Sequence, residues 1–345
     1  MPDIALLVII FVVAIAFGFS NGFNDAANAV AAAIGSRAIR PRYALVLAAV
    51  FDFAGCMAAA WLEPAVATTI GKGIISNTDL LTFEIVLAAV SAAVIWTLVA
   101  TYKGLPISVS HSLVSGLVGA GLAALSPADI GWGKFGTTLA SVVLAPLLGF
   151  IGAIVLMVVL LWAFHKLKPG FINNIIRKAQ WATTAFFSFS HGLNDGQMPV
   201  ALMVMGLTLY NGTDYWNKNP EVGAVVGIPP WIILIGATTI ALGVIIGGYR
   251  VIKTVGVKVT SLQPIHGLSA QTAAAGVISL ANARGIPVSA THCGVATIIG
   301  VGATNRLSAV RWGVARRIVF AWISTFPICI GLGWVLGRLF TSWAS

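Results

Sequence analysis

The chain has 345 residues, of which 58% are hydrophobic and only 9% are charged, and its formal net charge is +10. Soluble domains carry roughly a quarter charged residues, so this composition excludes an ordinary soluble protein and indicates a polytopic helical membrane protein. The apolar runs lack the alternation of a transmembrane β-barrel. The Lys and Arg residues lie in short loops, as the positive-inside rule predicts, which argues against nucleic-acid binding.

Ten apolar segments follow one another and predict an all-α protein with roughly ten membrane crossings. They lie at about 4–34, 43–62, 80–101, 105–125, 135–164, 181–209, 230–249, 260–283, 286–303 and 315–340. The first segment lacks a basic region and a cleavage site, so we expect a retained span and not a signal peptide. The three cysteines (Cys56, Cys293 and Cys329) are scattered and predict neither disulfides nor a metal site.

The pattern Phe-x-Phe-Ser-x-Gly-x-Asn-Asp occurs twice, at 17–25 and 187–195. An ionised carboxylate is expensive in hydrocarbon, so a repeated intramembrane Asp indicates a functional site. The Gly and polar residues around it predict discontinuous helices that line a wet cavity and bind a cation or accept a proton. The residues that end the two copies are Asn24, Asp25, Asn194 and Asp195. The alternative interpretation is hydrogen bonding between helices without a further role.

A second pattern, Gly-Φ-Pro-Φ-Ser-x-Ser/Thr-His, where Φ is an apolar residue, occurs at 104–111 and 285–292. Pro favours the first turn of a helix, where hydroxyls and free backbone N–H groups converge and can bind an anion. The hydroxyl residues are Ser108, Ser110, Ser289 and Thr291. Ordinary helix capping is the alternative. His111 and His292 end the two copies, and either a proton-transfer role or a structural role fits them.

Three further residues stand out in apolar surroundings. Asp52 is a third deep carboxylate, which we expect to line the same cavity unless it only pairs two helices. Gln271 could coordinate an ion or only satisfy its neighbours. His191 stands where the first motif copy has Asn21.

The two repeated patterns predict a duplicated fold, and the charges of equivalent loops predict that the two copies are inverted. We expect an N-terminal transmembrane repeat at 1–164, a basic cytoplasmic linker at 165–180 and a C-terminal inverted repeat at 181–345, with re-entrant-type hairpins. The loop after the first Asn-Asp segment is basic, whereas residues 212–221 after the second are mixed in charge. Both chain termini should then lie outside the cell.

On these motifs the chain resembles the inorganic phosphate transporter (PiT) family. The resemblance rests on Gly22 to Asp25, Gly192 to Asp195, Pro106 to His111, Pro287 to His292 and the segment Gly302 to Pro327. It implies a symporter in the cell membrane, commonly a homodimer, that imports inorganic phosphate, free or as a metal–phosphate complex. The resemblance implies that H⁺ or Na⁺ is the coupling ion. It implies neither a cofactor nor an enzymatic activity.

The resemblance also implies residue roles. The phosphate oxygens would be held by Ser108, Ser110, Ser289 and Thr291, and the cation and phosphate would meet at Asn24, Asp25, Asn194 and Asp195. Sodium-coupled members tend to carry Glu at the position of Gln271, which favours H⁺ here. They also carry an acidic residue at the position of Asp52, which favours Na⁺. Taken together, these two positions slightly favour H⁺ as the coupling ion.

Three other functions fit parts of the pattern. A sulfate symporter would use the same hydroxyls, but the retained Asp residues favour an anion that can be protonated, as phosphate can. An anion channel fits poorly with broken helices around an occluded site. An intramembrane hydrolase would need a base and an oxyanion hole around the serine, which the adjacent Ser and His of these motifs do not predict.

Overall fold

The computed structural model describes residues 4–62, 74–76, 80–166, 168–212, 228–283 and 289–344. Nearly all of this part of the chain is helical, and its β structure is a single bridge between Ile75 and Ile130. The helices in chain order are α1 (Ile4–Gly35), α2 (Pro41–Leu62), α3 (Phe83–Tyr102), α4 (Val109–Ala124), α5 (Trp132–Phe164), α6 (Pro169–Asp195), α7 (Gln197–Asn211), α8 (Pro230–Ile246), α9 (Tyr249–Lys253), α10 (Pro264–Ala283), α11 (Ala290–Asn305) and α12 (Trp312–Ala344). The prediction of an all-α membrane fold is confirmed. The loop residues 213–227 and the start of the second Pro-Ser-His copy, at 285–288, lie outside the described residues.

Five described helices are long and apolar enough to cross a membrane, namely α1, α2, α3, α5 and α12. A sixth span would combine α8 with the segment Tyr249–Lys258, which meet at an angle of 55°. This number is smaller than the roughly ten crossings predicted from the sequence. One reason is that α4 and α11 have only 16 residues each, which gives a length of about 24 Å against a hydrocarbon thickness of about 30 Å.

The two short helices are each covered by a long helix from the other half of the chain. The helix α4 packs on α12 as well as on its neighbour α3, and α11 packs on α5 as well as on α10. Among the longer helices, α1 packs on α8 and α2 packs on α6, so each of these contacts also joins the two halves of the chain. Duplicated halves predict this reciprocity, and the inverted orientation of the halves stays a prediction.

The first Asn-Asp motif does not interrupt its helix. The helix α1 is continuous from Ile4 to Gly35, so the expectation of a discontinuous helix is wrong for this copy. The side chain of Asn24 bonds to the last turn of α3 and to the segment between α3 and α4, and does not compete with the backbone of α1. In the second copy one helix ends at Asp195 and the next begins at Gln197. Gly196 between them keeps right-handed helical dihedral angles (φ −60°, ψ −26°).

The non-helical backbone near the site belongs to the Pro-Ser-His motifs instead. Residues 105–108 are extended, and Ser108 caps the N-terminus of α4 by accepting a hydrogen bond from the backbone N–H of His111. Ser289 caps α11 in the same way, through the N–H of His292. The prediction that both motifs start helices is confirmed.

The segment expected to be a basic linker, 165–180, is mostly the first part of α6. Its apolar residues Ile172 and Ile176 are buried. Gln180 donates to the Pro264 carbonyl, and Arg177 donates to the Arg37 carbonyl. The segment is therefore a packed amphipathic helix, and its role as a cytoplasmic linker between two repeats stays a prediction.

Gly22 and Gly192 hold the same position in the two Asn-Asp copies, and both lie where two helices cross in backbone contact. A Cβ atom on Gly22 would overlap the Ile240 carbonyl oxygen of α8, and one on Gly192 would overlap the Asp52 carbonyl oxygen of α2. The motif glycines are explained by these close crossings.

Replacing Gly192 by Ala should therefore destabilise the protein, by about 1–3 kcal/mol, because the overlap forces two helices apart. We expect a lower midpoint of thermal unfolding for the purified protein in detergent. Gly276→Ala is the matched control, since a Cβ there meets nothing within 4 Å. That change should leave the midpoint unchanged or raise it, because Ala favours a helix more than Gly does. Equal midpoints for the two variants would contradict the close crossing.

Candidate functional site

Three carboxylates from three helices surround the imidazole ring of His191 on α6. The ring Nδ1 lies 3.0 Å from Asp52 Oδ1. The ring Nε2 lies 3.4 Å from Asp25 Oδ2 and 3.5 Å from Asp195 Oδ2. All four residues are buried. We call Asp25, Asp52, His191 and Asp195 the carboxylate–histidine cluster.

The cluster carries more negative than positive charge. Both ring nitrogens of His191 face carboxylate oxygens, and an imidazole donates from both nitrogens only when it is a cation. Three ionised carboxylates and one imidazolium ion have a net charge of −2, which is costly away from water. The arrangement therefore favours the uptake of a further cation or proton.

The donor set limits which cation fits. Asp25, His191 and Asp195 each offer a ligand atom, and these atoms lie within 4.8 Å of one another. A hard cation such as Na⁺ prefers oxygen ligands, whereas imidazole nitrogen suits transition metals. With the ring at its centre, the cluster fits a proton better than an alkali ion.

One carboxylate of the cluster also contacts the start of α11. Asp25 Oδ1 accepts hydrogen bonds from Thr291 Oγ1 and from Asn28 Nδ2, both at 2.8 Å. Asn28 Nδ2 lies 2.9 Å from Thr291 Oγ1 as well. Thr291 is thus joined to the cluster, as its place in the candidate site requires. Asn28 was absent from the predicted site, although its spacing of three residues from Asp25 places both on one helix face.

Asn24 has a different neighbour from Asp25. Its Nδ2 donates to Thr101 Oγ1 at 2.7 Å and to the Leu105 carbonyl at 3.3 Å, and its Oδ1 accepts from the Ile107 N–H at 3.3 Å. Asn24 therefore fixes the extended segment that leads to Ser108. Ser108 Oγ lies 3.0 Å from Ser110 Oγ, which is only half-buried.

The starts of α4 and α11 meet at His111 and His292. The two rings are in edge contact with centroids 4.9 Å apart. His111 Nε2 lies 3.0 Å from Ser141 Oγ, and neither ring nitrogen of His292 has a hydrogen-bond partner among the described residues. The ring of His292 packs on Trp322, with centroids 4.2 Å apart. The two Pro-Ser-His motifs are thus neighbours, with their histidines in van der Waals contact.

Asn194 and Gln271 make their hydrogen bonds outside the cluster. Asn194 Nδ2 donates to the Ser190 carbonyl of its own helix, at 3.1 Å. Gln271 Nε2 donates to the Ala29 carbonyl at 2.7 Å, and its Oε1 accepts from Thr183 and Thr184. Gln271 is therefore fully bonded between α10, α6 and α1, and this arrangement matches its alternative role of satisfying neighbours.

The model of the phosphate transporter family matches residues 21–333 of this chain. The chain belongs to the phosphate transporter family. It is 37% identical over 324 residues to a probable low-affinity inorganic phosphate transporter of Rhizobium meliloti, covering 93% of this chain and 92% of the relative. It is 36% identical over 337 residues to a protein of the same description in Bacillus subtilis, covering 96% of both chains.

A solved structure described as the sodium-dependent phosphate transporter has the same fold, with a TM-score of 0.86 and 26% sequence identity. The match covers 98% of this chain and 99% of that chain. The family and these relatives are transporters, so the prediction that the chain is not an enzyme is confirmed.

Removing the imidazole should make the protein's stability depend more strongly on pH. In His191→Leu the three carboxylates lose their internal cation, a change expected to cost about 3–5 kcal/mol while they remain ionised. Protonation of the carboxylates in acid removes the repulsion. We therefore expect a large loss of thermal stability at pH 8 and a much smaller loss at pH 5.

Gln271→Leu is the control, because Gln271 bonds to Ala29, Thr183 and Thr184 and has no titratable group. Its loss of stability should be the same at both pH values. A His191→Leu variant whose loss is the same at both pH values would show that the ring does not neutralise the carboxylates.

Proposed function

We propose that this protein is a secondary active transporter that imports inorganic phosphate by cation symport with alternating access. The observation that carries the proposal is the 2.8 Å hydrogen bond from Thr291 Oγ1 to Asp25 Oδ1. This bond joins the start of α11, which is suited to an anion, to the carboxylate–histidine cluster, which is suited to a cation. The inverted arrangement of the halves, the outward termini and a homodimer belong to the same proposal.

The anion would bind at the paired starts of α4 and α11. A helix N-terminus offers backbone N–H groups and a positive dipole end to an anion. Hydroxyls of Ser108, Ser110, Ser289 and Thr291 add donors without fixed charge. Neutral donors hold phosphate strongly enough for selection but leave it free to dissociate on the other side of the membrane.

Coupling follows from charge. Phosphate beside three ionised carboxylates is repelled, because like charges interact strongly where little water is present. A cation taken up by the cluster removes this repulsion, and bound phosphate in turn favours the cation. Each ligand then raises the affinity for the other by the same factor, as thermodynamic linkage requires. The loaded or the empty protein can change conformation at lower cost than a half-loaded one.

We propose the proton as the coupling ion, over Na⁺. The ring of His191 lies among the three carboxylates where a bound metal ion would otherwise be coordinated. Gln271 offers no charge and is bonded to Ala29, Thr183 and Thr184. The solved structure described as sodium-dependent shares only 26% of its residues with this chain, which leaves room for a different coupling ion.

Uptake of ³²P-phosphate into proteoliposomes tests the function and the ion together. We expect an inward H⁺ gradient to drive accumulation and an inward Na⁺ gradient to drive none. A tenfold excess of sulfate should leave uptake unchanged. Uptake driven by Na⁺ alone would overturn the choice of ion, and sulfate uptake at an equal rate would overturn the choice of substrate.

Asp25→Asn should lower this uptake by about 30-fold or more, because Asn keeps the shape and removes the buried charge. Asp129→Asn is the control. Asp129 caps an exposed 3₁₀ turn at Pro127–Asp129, which follows the end of α4 opposite to Ser108. A similar loss in both variants would point to impaired folding and not to a role in transport.

Thr291→Val tests the contact between the two parts of the site. It removes the hydroxyl that donates to Asp25, and a hydrogen bond to a charged group contributes about 1.5–3 kcal/mol. We expect the KM for phosphate to rise about tenfold or more. Thr297→Val is the control on the same helix, because the Thr297 hydroxyl donates only to the Gly294 carbonyl. Equal KM values for the two variants would remove Thr291 from the site.

A further inference from the structure

A cleft with a volume of about 420 Å³ lies between the turn that joins α3 to α4 and the first turns of α12. It is lined by Lys103, Leu105, Arg316, Arg317 and Phe320. Three of these five residues are cations, and the other two are apolar. No part of the carboxylate–histidine cluster lines the cleft, so it is a separate feature of the surface.

The three cations of the cleft have no counter-charge in the described part of the chain. The side chains of Lys103, Arg316 and Arg317 are exposed, and none of them makes an ion pair or a hydrogen bond with another described residue. By contrast, two nearby arginines are used within the fold. Arg250 donates to the Tyr102 carbonyl at 2.6 Å, and Arg311 donates to the Val257 carbonyl at 3.0 Å.

None of the five described carboxylates lines the cleft. Three of them form the carboxylate–histidine cluster. Glu84 lies in the first turn of α3, whereas Lys103 caps its last turn, a separation of about 28 Å along the helix. Asp129 follows the far end of α4. The cleft is therefore a concentration of positive charge that an anion would stabilise.

The apolar wall of the cleft includes an exposed side chain on a candidate membrane-spanning helix. Phe320 is 72% exposed, on a helix that is long and apolar enough to span a membrane. Its neighbours Arg316 and Arg317 lie one turn nearer the helix start. A basic pocket at the end of a spanning helix, with an apolar face beside it, matches the head group and first chain carbons of an anionic lipid.

We propose that this cleft binds a phosphate group, carried either by an anionic phospholipid or by inorganic phosphate. Lys and Arg side chains are the residues that bind phosphate oxygens most strongly, and Arg does so with two parallel hydrogen bonds. The proposal does not depend on the transport function proposed above. It assigns to this chain a second anion site, built from fixed cations, where the first is built from neutral donors.

The cleft is connected to the first site through the extended segment 105–108. The Leu105 carbonyl accepts from Asn24, and the Pro106 carbonyl accepts from Trp322 Nε1 at 3.0 Å. Leu105 thus forms one wall of the cleft and also belongs to the segment that carries Ser108. An anion that bridges Lys103, just before this segment, to Arg316 and Arg317 stabilises the segment against α12.

A fluorescent label beside the cleft can report binding. Gly313 lies three and four residues before the two arginines, and a Cβ there meets nothing within 4 Å. The native cysteines Cys56, Cys293 and Cys329 are buried, so a dye should react with Gly313→Cys alone. The labelled full chain is placed in nanodiscs of phosphatidylcholine. One series is titrated with inorganic phosphate, and a second contains increasing fractions of phosphatidylglycerol.

We expect a saturable change of fluorescence in at least one series. The triple variant Lys103→Gln, Arg316→Gln and Arg317→Gln should weaken that binding by roughly a hundredfold, about fivefold for each cation removed. The matched control removes the same charge from exposed lysines of α6 and the turn before it, by Lys166→Gln, Lys168→Gln and Lys178→Gln. It should leave the binding unchanged.

The outcomes separate the sources of the phosphate group. Saturation only with phosphatidylglycerol identifies a lipid head group, and saturation with inorganic phosphate identifies a free anion. Repeating the phosphate titration with Thr291→Val excludes a signal from the first site, since that change weakens only the first site. No saturation in either series, or equal weakening by both triple variants, would overturn the proposal. If the cleft triple variant does not fold, Arg317→Gln alone should show the fivefold effect.

Discussion

Buried charge in a membrane protein must be compensated, and this requirement governs the centre of the molecule. Three carboxylates on α1, α2 and α6 are held at one place by the ring of His191, which lies within 3.0–3.5 Å of each. Because three ionised carboxylates outnumber one imidazolium ion, a further cation or proton stabilises the cluster. This is the electrostatic basis of the cation symport proposed above.

The proposed anion site depends on two helices that are too short to cross the membrane. The helices α4 and α11 begin inside the protein, and their starts meet at His111 and His292. A helix that begins within the membrane leaves its first N–H groups to be satisfied by caps or by a ligand. Ser108 and Ser289 satisfy some of these groups. The remaining donors are those to which we assign the anion, and the hydrogen bond from Thr291 connects them to Asp25.

The sequence was sufficient for those features that repetition makes visible. The duplicated motifs predicted Asp25, Asp195 and the two serine caps, and hydropathy predicted the membrane fold. Repetition could not show that α1 continues through its motif, because this depends on where the side chain of Asn24 finds partners some eighty residues away. It also could not show His191 as the centre of the cluster. The sequence did show that the second motif copy has a titratable ring, His191, where the first has Asn21. Only the positions of the three carboxylates around this ring indicate its role.

The glycine crossings determine which parts of the protein can move as units. At Gly22 the backbone of α1 touches that of α8, and at Gly192 the backbone of α6 touches that of α2. Each contact joins a helix from residues 1–164 to a helix from residues 181–345. A motion that moved residues 1–164 and residues 181–345 as two rigid bodies would have to separate both contacts. At these contacts backbone packs directly on backbone, with no side chain between the helices. A rigid-body motion is therefore expected to carry these mixed helix pairs together and not to divide the chain between residues 164 and 181.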